Sequence, residues 1–475
     1  MATVSLEAVA PVTGNDLPDE IWENIIHYVG ASTAYKLSSV NRPFLSFVLS
    51  TKYREVQWVT FDTKFFNTLQ RLQDPIIGRY VQKLVIRAWF IDLLFKRDML
   101  LKDAPSAEES GIQTMVRMVN NFLFPKAVPP QSLPPQDKSS FEKVGFDASF
   151  KAGVLSAGLS SLEIVRMLVI AVNGMANATV LDFEWRDLPL NAYTVVFLKS
   201  TRTAFQSSLR RLVLKAQICK FKELLAITDF ENIDELDFSF HYQADRTAKN
   251  ATKENRHVRG IEEFQDAVLP FITHRRHKLR SLSIRSWDTA DLSDFFSALP
   301  VLPSLRSFSV HLPFDTNTLS EPSSLLSVLK NGKSSLLHIS FRGQHRNLQN
   351  WSRMNDQLLA HSHYLHNLES LEIPFLALEK TVRLISRSRD TLTRLCLTDK
   401  CLKVQDIVAV ADVFAHRPFQ LRHLRVEVLS IDFALIQTLS RRFPGLTSLV
   451  LIVLSFPSGI DIRDVVSGIV LLLVL

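Results

Sequence analysis

Residues 279–284 read LRSLSI and residues 305–310 read LRSFSV, two versions of one phrase in which apolar residues stand at the first, fourth and sixth positions. The fourth and sixth positions alternate with a polar residue, which is the two-residue period of a strand with one buried face. With other apolar residues allowed, the phrase recurs at Leu209-Leu212-Leu214, Ile233-Leu236-Phe238, Leu336-Ile339-Phe341, Leu368-Leu371-Ile373, Leu392-Leu395-Leu397, Leu421-Leu424-Val426 and Leu446-Leu449-Leu451. Successive starts lie 24, 46, 26, 31, 32, 24, 29 and 25 residues apart, a single repeat length with one double step. Val81-Leu84-Ile86 is an outlying copy.

Helical spacing fills the intervals. Leu292, Phe295, Phe296 and Leu299 fall on one helix face, as do Leu325, Leu326, Val328 and Leu329, then Ile407, Val410 and Phe414, then Phe433, Ile436 and Leu439. A short strand followed by a helix, repeated, predicts an α/β fold with a parallel sheet on one face and helices on the other. This pattern resembles a leucine-rich-repeat solenoid, an irregular one, because the Asn or Cys that usually follows each strand is mostly absent. Turns without that side-chain ladder must be held by other contacts. The double step carries Tyr242 to Gly260, YQADRTAKNATKENRHVRG, polar enough to be expected as a long surface loop.

Ahead of the repeats, residues 16–44 read DLPDEIWENIIHYVGASTAYKLSSVNRPF. Asp16 offers a cap, Pro18 suits a first turn, and Asp19, Glu20 and Glu23 complement the helix dipole. Leu17, Ile21, Ile25, Ile26 and Val29 make an apolar stripe that Trp22 widens beyond what one short helix needs. After a break at Gly30 to Thr33, a second helical pattern runs through Tyr35, Leu37, Val40, Phe44 and Val48, with Pro43 inside it. Leu17, Pro18, Glu20, Ile21, Ile25, Ile26, Leu37, Val40, Arg42 and Phe44 together resemble an F-box. The expected organisation is residues 1–14 as a disordered N-terminus, 15–55 as the F-box-like helical hairpin, 56–124 as a transition and first repeat-like unit, 125–140 as a linker and 141–475 as the solenoid. Within 56–124, Phe65, Phe66, Leu69 and Leu72 predict a helix, and residues 92–121 have a helical pattern. The linker is set by Pro125, Pro129, Pro130, Pro134 and Pro135, which exclude helix and inner strand.

Composition narrows the class. With 475 residues at 46% hydrophobic content the chain supports a large core, and 14 Gly against 32 Phe disfavours both glycine-turned sandwiches and glycine-rich phosphate loops. A net charge of +7 over this length is a weak basic balance. Three cysteines, Cys219, Cys396 and Cys401, cannot build a disulfide framework or complete a zinc site, so a reducing compartment is expected. The N-terminus has no basic region followed by an apolar run, so no signal peptide is expected, and the chain is placed in the cytoplasm, the nucleus or both. The apolar run at 469–475 is shorter than a membrane span.

Chemistry-bearing motifs are weak. Asn331-Gly-Lys-Ser-Ser resembles the end of a phosphate loop, but Ser327 stands where its first Gly belongs. Gly153 to Gly158 has one residue too many for a nucleophile elbow. His361, His363 and His366 lack a further ligand and read as a solvated turn. The cluster His274 to Lys278 has basic charge without interleaved aromatics, which argues against nucleic acid. No nucleophile, base and orienting group are placed together by the sequence, so no catalytic residue, metal or cofactor is assigned. A hydrolase or transferase hidden in residues 141–208 is kept as a separate possibility, because the repeat reading explains that segment least.

A fungal-type F-box protein with C-terminal leucine-rich repeats is what the combination resembles, and that resemblance implies the substrate receptor of an SCF ubiquitin ligase. It would place Leu17, Pro18, Glu20, Ile21, Ile25, Ile26, Leu37 and Val40 against a Skp adaptor, with a cullin beyond it. An unidentified protein substrate would sit on the repeats. The alternative is a leucine-rich-repeat scaffold with no link to ubiquitination. The polar positions between the buried ones of each strand should line the open face. These are Arg211, Val213 and Lys215, then Glu235, Asp237 and Ser239, then Ser283, Arg285, Ser309 and His311. They continue as Ser340, Arg342, Glu372, Cys396, Thr398, Arg425 and Glu427. Mixed charge there points to a polar protein partner and away from a membrane.

Overall fold

A computed structural model describes residues 17–60, 62–87, 161–186, 190, 192–241, 253–286, 290–343, 348–431 and 433–454. The cap at Asp16, the helical pattern at 92–121, the Pro-rich linker and the terminal apolar run lie outside them. The chain forms two compact units, Met1–Asp182 with Pro189–Leu209 and Phe183–Leu188 with Arg210–Leu475.

The first unit opens with three helices, α1 (Asp19–Tyr28), α2 (Ala31–Lys36) and α3 (Arg42–Tyr53), where the sequence suggested a two-helix hairpin. The break is narrower than expected, since Ala31 to Thr33 are already helical, and a second break falls at Leu37 to Asn41. Pro43 stands in the first turn of α3, where its missing N–H costs nothing. Asn41 caps that turn, its Oδ1 accepting the Phe44 N–H at 3.0 Å. Ile26, Ala34, Phe44 and Val48 form the core of these helices, with Trp22, Val29, Leu37 and Phe47 packed against it. Trp22 meets Phe44 edge-on at 5.7 Å.

Beyond α3 the strand–helix alternation begins. Strand β1 (Glu55–Trp58) pairs in parallel with β2 (Lys83–Arg87), and Asp62 caps the intervening helix α4 (Thr63–Leu72) through the Phe65 N–H at 2.7 Å. A single turn α5 (Pro75–Gly78) follows α4. A Cβ on Gly78 would lie 2.6 Å from the Gly174 carbonyl oxygen, so only glycine lets this turn close on the helix α6 (Ser161–Gly174). Strand β3 (Val180–Arg186) begins in the first unit and ends in the second, and α7 (Ala192–Phe205) belongs to the first. The described part of residues 141–208 is therefore helix, strand and helix of the repeating kind.

The second unit holds β4 (Arg211–Gln217), β5 (Glu235–His241), β6 (Ser281–Ser286), β7 (Ser307–His311), β8 (His338–Arg342), β9 (Ser370–Pro374), β10 (Arg394–Thr398), β11 (His423–Val428) and β12 (Ser448–Val453). Every one falls on a copy of the phrase, all adjacent pairs are parallel, and strand order follows chain order from β4 to β12. This is a leucine-rich-repeat arrangement, with helices stacked on neighbouring helices behind the sheet. The double step is corrected: Lys253 to Gly260 begin the 22-residue helix α9 (Lys253–His274), which follows α8 (Phe221–Ile227). The remaining helices are α10 (Ser293–Ala298), α11 (Pro322–Gly332), α12 (Leu348–Ala360), α13 (Leu378–Ser388), α14 (Val404–Asp412) and α15 (Phe433–Arg442).

Two devices hold neighbouring repeats together. At each strand entry one backbone carbonyl accepts two consecutive N–H groups of the next repeat: Arg210 O takes those of Asp234 and Glu235, and Asp234 O those of Arg280 and Ser281. The series continues through Arg280, Arg306, Leu337, Glu369, Thr393 and Arg422, all bonds between 2.7 and 3.1 Å. Behind the sheet runs an aromatic spine. Phe264 touches Phe221, Phe240 and Phe295 at centroid distances of 5.1, 4.6 and 5.4 Å. Phe295 meets Phe296, which continues to Phe308, Phe341 and Trp351. The abundance of phenylalanine finds its use here, since edge-to-face pairs stabilise beyond area burial.

Candidate functional site

Two surfaces carry the residues singled out from the sequence. The first lies on the N-terminal helices. With Ile26 at 3% exposure and Ala34, Phe44 and Val48 filling the core, that core is closed without Ile21 and Ile25, which stay 43% and 36% exposed. Pro18, Glu20 and Val40 are also exposed, while Leu17 and Leu37 are half-buried. Ile26 is thus a core residue and is corrected as a direct contact: helical spacing cannot tell the two sides of so broad a stripe apart. Tyr28, Tyr35 and Leu45, not chosen from the sequence, are exposed apolar neighbours in the same helices. Tyr28 and Leu45 are large apolar side chains outside the core spacing, whereas Tyr35 lies within the helical pattern and is nonetheless 44% exposed.

The second surface is the sheet face opposite the aromatic spine. Register aligns Val213, Asp237, Ser283, Ser309, Ser340 and Glu372 in one row, and Lys215, Ser239, Arg285, His311 and Arg342 in the next. Asp237 and Glu372 were expected to be open to solvent, and they are buried, at 4% and 8% exposure. Their neighbours cover them. Arg285 Nη2 donates to Asp237 Oδ2 at 2.6 Å, and Arg211 Nη2 lies 3.9 Å from the same oxygen. Arg342 grips Glu372 with two donors, Nε to Oε1 at 2.8 Å and Nη2 to Oε2 at 3.1 Å, and Ser340 Oγ donates to Oε2 at 2.6 Å. Such forked, charge-assisted bonds fix a guanidinium plane. The arginine side chains remain open, 40% for Arg285, 44% for Arg342 and 46% for Arg211.

The other members of the set have mixed fates. Val213, Ser283, Cys396 and Thr398 are buried on this face, and Ser239, Ser309, Lys215 and Glu235 are half-buried. Glu427 Oε1 accepts the N–H of Asp399, which holds the left-handed φ of 69° that Asp tolerates better than most residues. Arg425 Nε is buried with no hydrogen-bond partner among the described residues. Burial first, with Glu372 next, pushes the Cys396 thiol up to about 11, and burial likewise raises Cys219 and Cys401, so none is poised as a thiolate. His361 and His363 pack against Tyr364 in a turn, and His366 Nδ1 is bonded to the His363 carbonyl at 2.8 Å. Among the described residues no group of three His, Cys, Asp or Glu side chains is placed to hold a metal ion. Gly332 ends α11, so the Asn331-Gly-Lys segment is a helix end.

His311 lies between Arg285 and Arg342 in register, and burial first, then Arg342 and Arg285, lowers its pKa from 6.5 to about 4. Its folded value lies below its unfolded one, so between those values the unfolded chain binds the proton that the folded chain refuses. Stability on this account is present at neutral pH and is lost as pH falls from 6.5 toward 4. Urea midpoints should fall between pH 7 and pH 5, and His311→Gln should flatten that decline.

No helix among the described residues is long and apolar enough to cross a membrane. No family model matches the sequence, and no curated protein matches it. Among solved structures, the chain is similar to the leucine-rich repeat-containing protein LegL7 from Legionella pneumophila, at 13% identity over 65% of this chain and 85% of that one, with a TM-score of 0.33.

Proposed function

We propose that this chain is a non-catalytic substrate receptor of an SCF-type ubiquitin ligase, with α1 to α3 docking on a Skp adaptor and the open sheet face holding the protein to be modified. The observation that carries the reading is the spare apolar surface of the N-terminal helices. Their core is complete with Ile26, Ala34, Phe44 and Val48, and Ile21, Ile25 and Val40 are left over at 43%, 36% and 58% exposure. Ile21 and Ile25 stand four residues apart on one face of α1, and adjacent exposed apolar side chains of this kind suit a partner surface. Pro18 and Glu20, exposed at the start of α1, and half-buried Leu17 and Leu37 would border that contact. The mechanism is proximity: a substrate held on the same chain as the adaptor contact meets the ubiquitin-conjugating machinery at raised effective concentration. The chain need supply no reacting group of its own.

Tagged chain should co-purify with adaptor and cullin. Ile21→Asp combined with Ile25→Asp should reduce adaptor binding by about a hundredfold or more, because docking would bury unpaired carboxylates. Both positions are open in the free chain, so circular dichroism and the unfolding midpoint should stay unchanged. Adaptor recovered in normal yield with the double variant would refute the placement. Recovery of neither adaptor nor cullin with the native chain would leave a repeat scaffold unconnected to ubiquitination.

A further inference from the structure

Arg285 and Arg342 face the open sheet as a matched pair. Each is anchored by a carboxylate one strand away, Asp237 for Arg285 and Glu372 for Arg342, and both carboxylates are themselves buried. The anchoring bonds use Nη2 of Arg285, with Nε turned to Ser283 Oγ at 3.5 Å, and Nε and Nη2 of Arg342. The Nη1 edge of each guanidinium is left without a partner among the described residues, on side chains 40% and 44% exposed. Between them in register lies His311. The carboxylate fixes the guanidinium in place, so the rotamer freedom that an arginine loses on binding an anion is already removed.

We propose that Arg285 and Arg342 form a two-point anion clamp that takes an acidic, extended segment of a partner protein, one carboxylate or phosphoryl group per guanidinium. The partner's form follows from the spacing. The two arginines stand two strands apart, roughly 10 Å, and a peptide in the extended polyproline II form rises about 3.1 Å per residue with three residues per turn, so acidic groups three residues apart lie on one side of it and match both points. Arg211, 46% exposed, stands two rows away on the same face, beside Glu235 and Asp237. A peptide is favoured over nucleic acid because the clamp offers two discrete points on a face where Asp237, Glu372, Glu235 and Glu427 also stand, and a continuous phosphate backbone requires an unbroken basic track. This inference deepens the reading of the sheet face as the partner-holding surface and rests on that part of it alone.

The test is fluorescence anisotropy on the full chain with three labelled Gly-Ser peptides, carrying at two positions three residues apart either Glu, phosphoserine or Gln. The Glu or phosphoserine peptide should bind, more weakly as salt rises, and the Gln peptide should not. Preference for phosphoserine would name phosphorylation as the source of the anion, and preference for Glu an acidic sequence. Either preference supports the clamp. R285Q and R342Q should each weaken binding about tenfold, and together about a hundredfold. R342Q strands the buried Glu372, so R342Q combined with E372Q removes both partners and should show the same loss with the fold intact. R383Q, on an exposed helix position, should change nothing. Equal binding of the Gln peptide, or retention of affinity by the double arginine variant, overturns the proposal. Tighter binding of a single-stranded oligonucleotide with the same arginine dependence overturns it in favour of nucleic acid. Adaptor co-purification should be unaffected by these substitutions, so failure of the clamp and failure of the ligase reading are separable.

Discussion

Phe264→Ala is expected to lower the unfolding free energy of the second unit by about 3–5 kcal/mol, the range for emptying a buried phenylalanine site. Phe264 is fully buried and touches three other rings, so its loss opens a cavity where the spine passes from α8 to α10. The cavity cannot be filled by relaxation of one flexible neighbour, because Phe221, Phe240 and Phe295 are each fixed by their own strand or helix. Urea unfolding followed by circular dichroism measures the effect. Phe433→Ala, at a site 72% exposed, is the control and should stay within about 0.5 kcal/mol. A Phe264→Ala midpoint equal to that of the control would mean that the spine does not bind the repeats together.

The second large effect should come from Arg275, which is 3% exposed at the turn after α9. Its Nη1 donates to the Phe271 carbonyl at 2.9 Å, its Nη2 donates to Phe230 O at 2.8 Å and to Asp229, and its guanidinium lies 3.7 Å from the Phe271 ring centroid. These bonds tie the end of the double-length repeat to the segment just before β5. Burial holds the guanidinium pKa below its usual value, against a smaller upward pull from Asp229. Arg275→Ala should cost about 3 kcal/mol, since two carbonyls lose their donors and packing volume is lost. Arg275→Met should cost clearly less, because replacing a buried ion by an apolar side chain of similar size removes the desolvation cost. Equal losses for Ala and Met would mean that the bonds to Phe230 and Phe271, and not burial of the charge, set the energy.

The repeat strands were legible because their signal is local and redundant. Each of β4 to β12 sits on a copy of the phrase, and Val81-Leu84-Ile86 marks β2. β1 and β3 escaped notice although they obey the same spacing, as Tyr53-Val56-Trp58 and Ala178-Leu181-Phe183, because a tyrosine and an alanine stand at the first position. Both are fully covered in the fold, so the position asks for burial and tolerates a range of volumes. The start of α9 was misread because Lys253 to Gly260 is charged, and helical hydrogen bonding needs no apolar stripe when packing is supplied further along, by Phe264, Val268 and Ile272.

The surfaces were less legible than the strands. Alternation put Arg285 and Asp237 on one face, but 48 residues separate them in the chain, so only the register makes them partners. The burial of Asp237 and Glu372 is a product of such pairing and has no counterpart in local sequence. In the N-terminal helices the apolar stripe was visible, while the turning of Ile26 inward and Ile25 outward depends on where α2 and α3 pack.

The strand-entry bonds have an evolutionary corollary. Each rung is made of one carbonyl and two N–H groups, and the residues that supply the carbonyls are as unlike as Arg210, Asp234, Leu337, Glu369 and Thr393. A frame drawn by the main chain places no demand on the side chains at those positions. Codons there can drift, and whole repeats can be duplicated or deleted between rungs, without loss of alignment. Two descendants of such a chain would keep the same scaffold while their texts diverged beyond recognition, leaving the open face free to acquire new partners one arginine at a time.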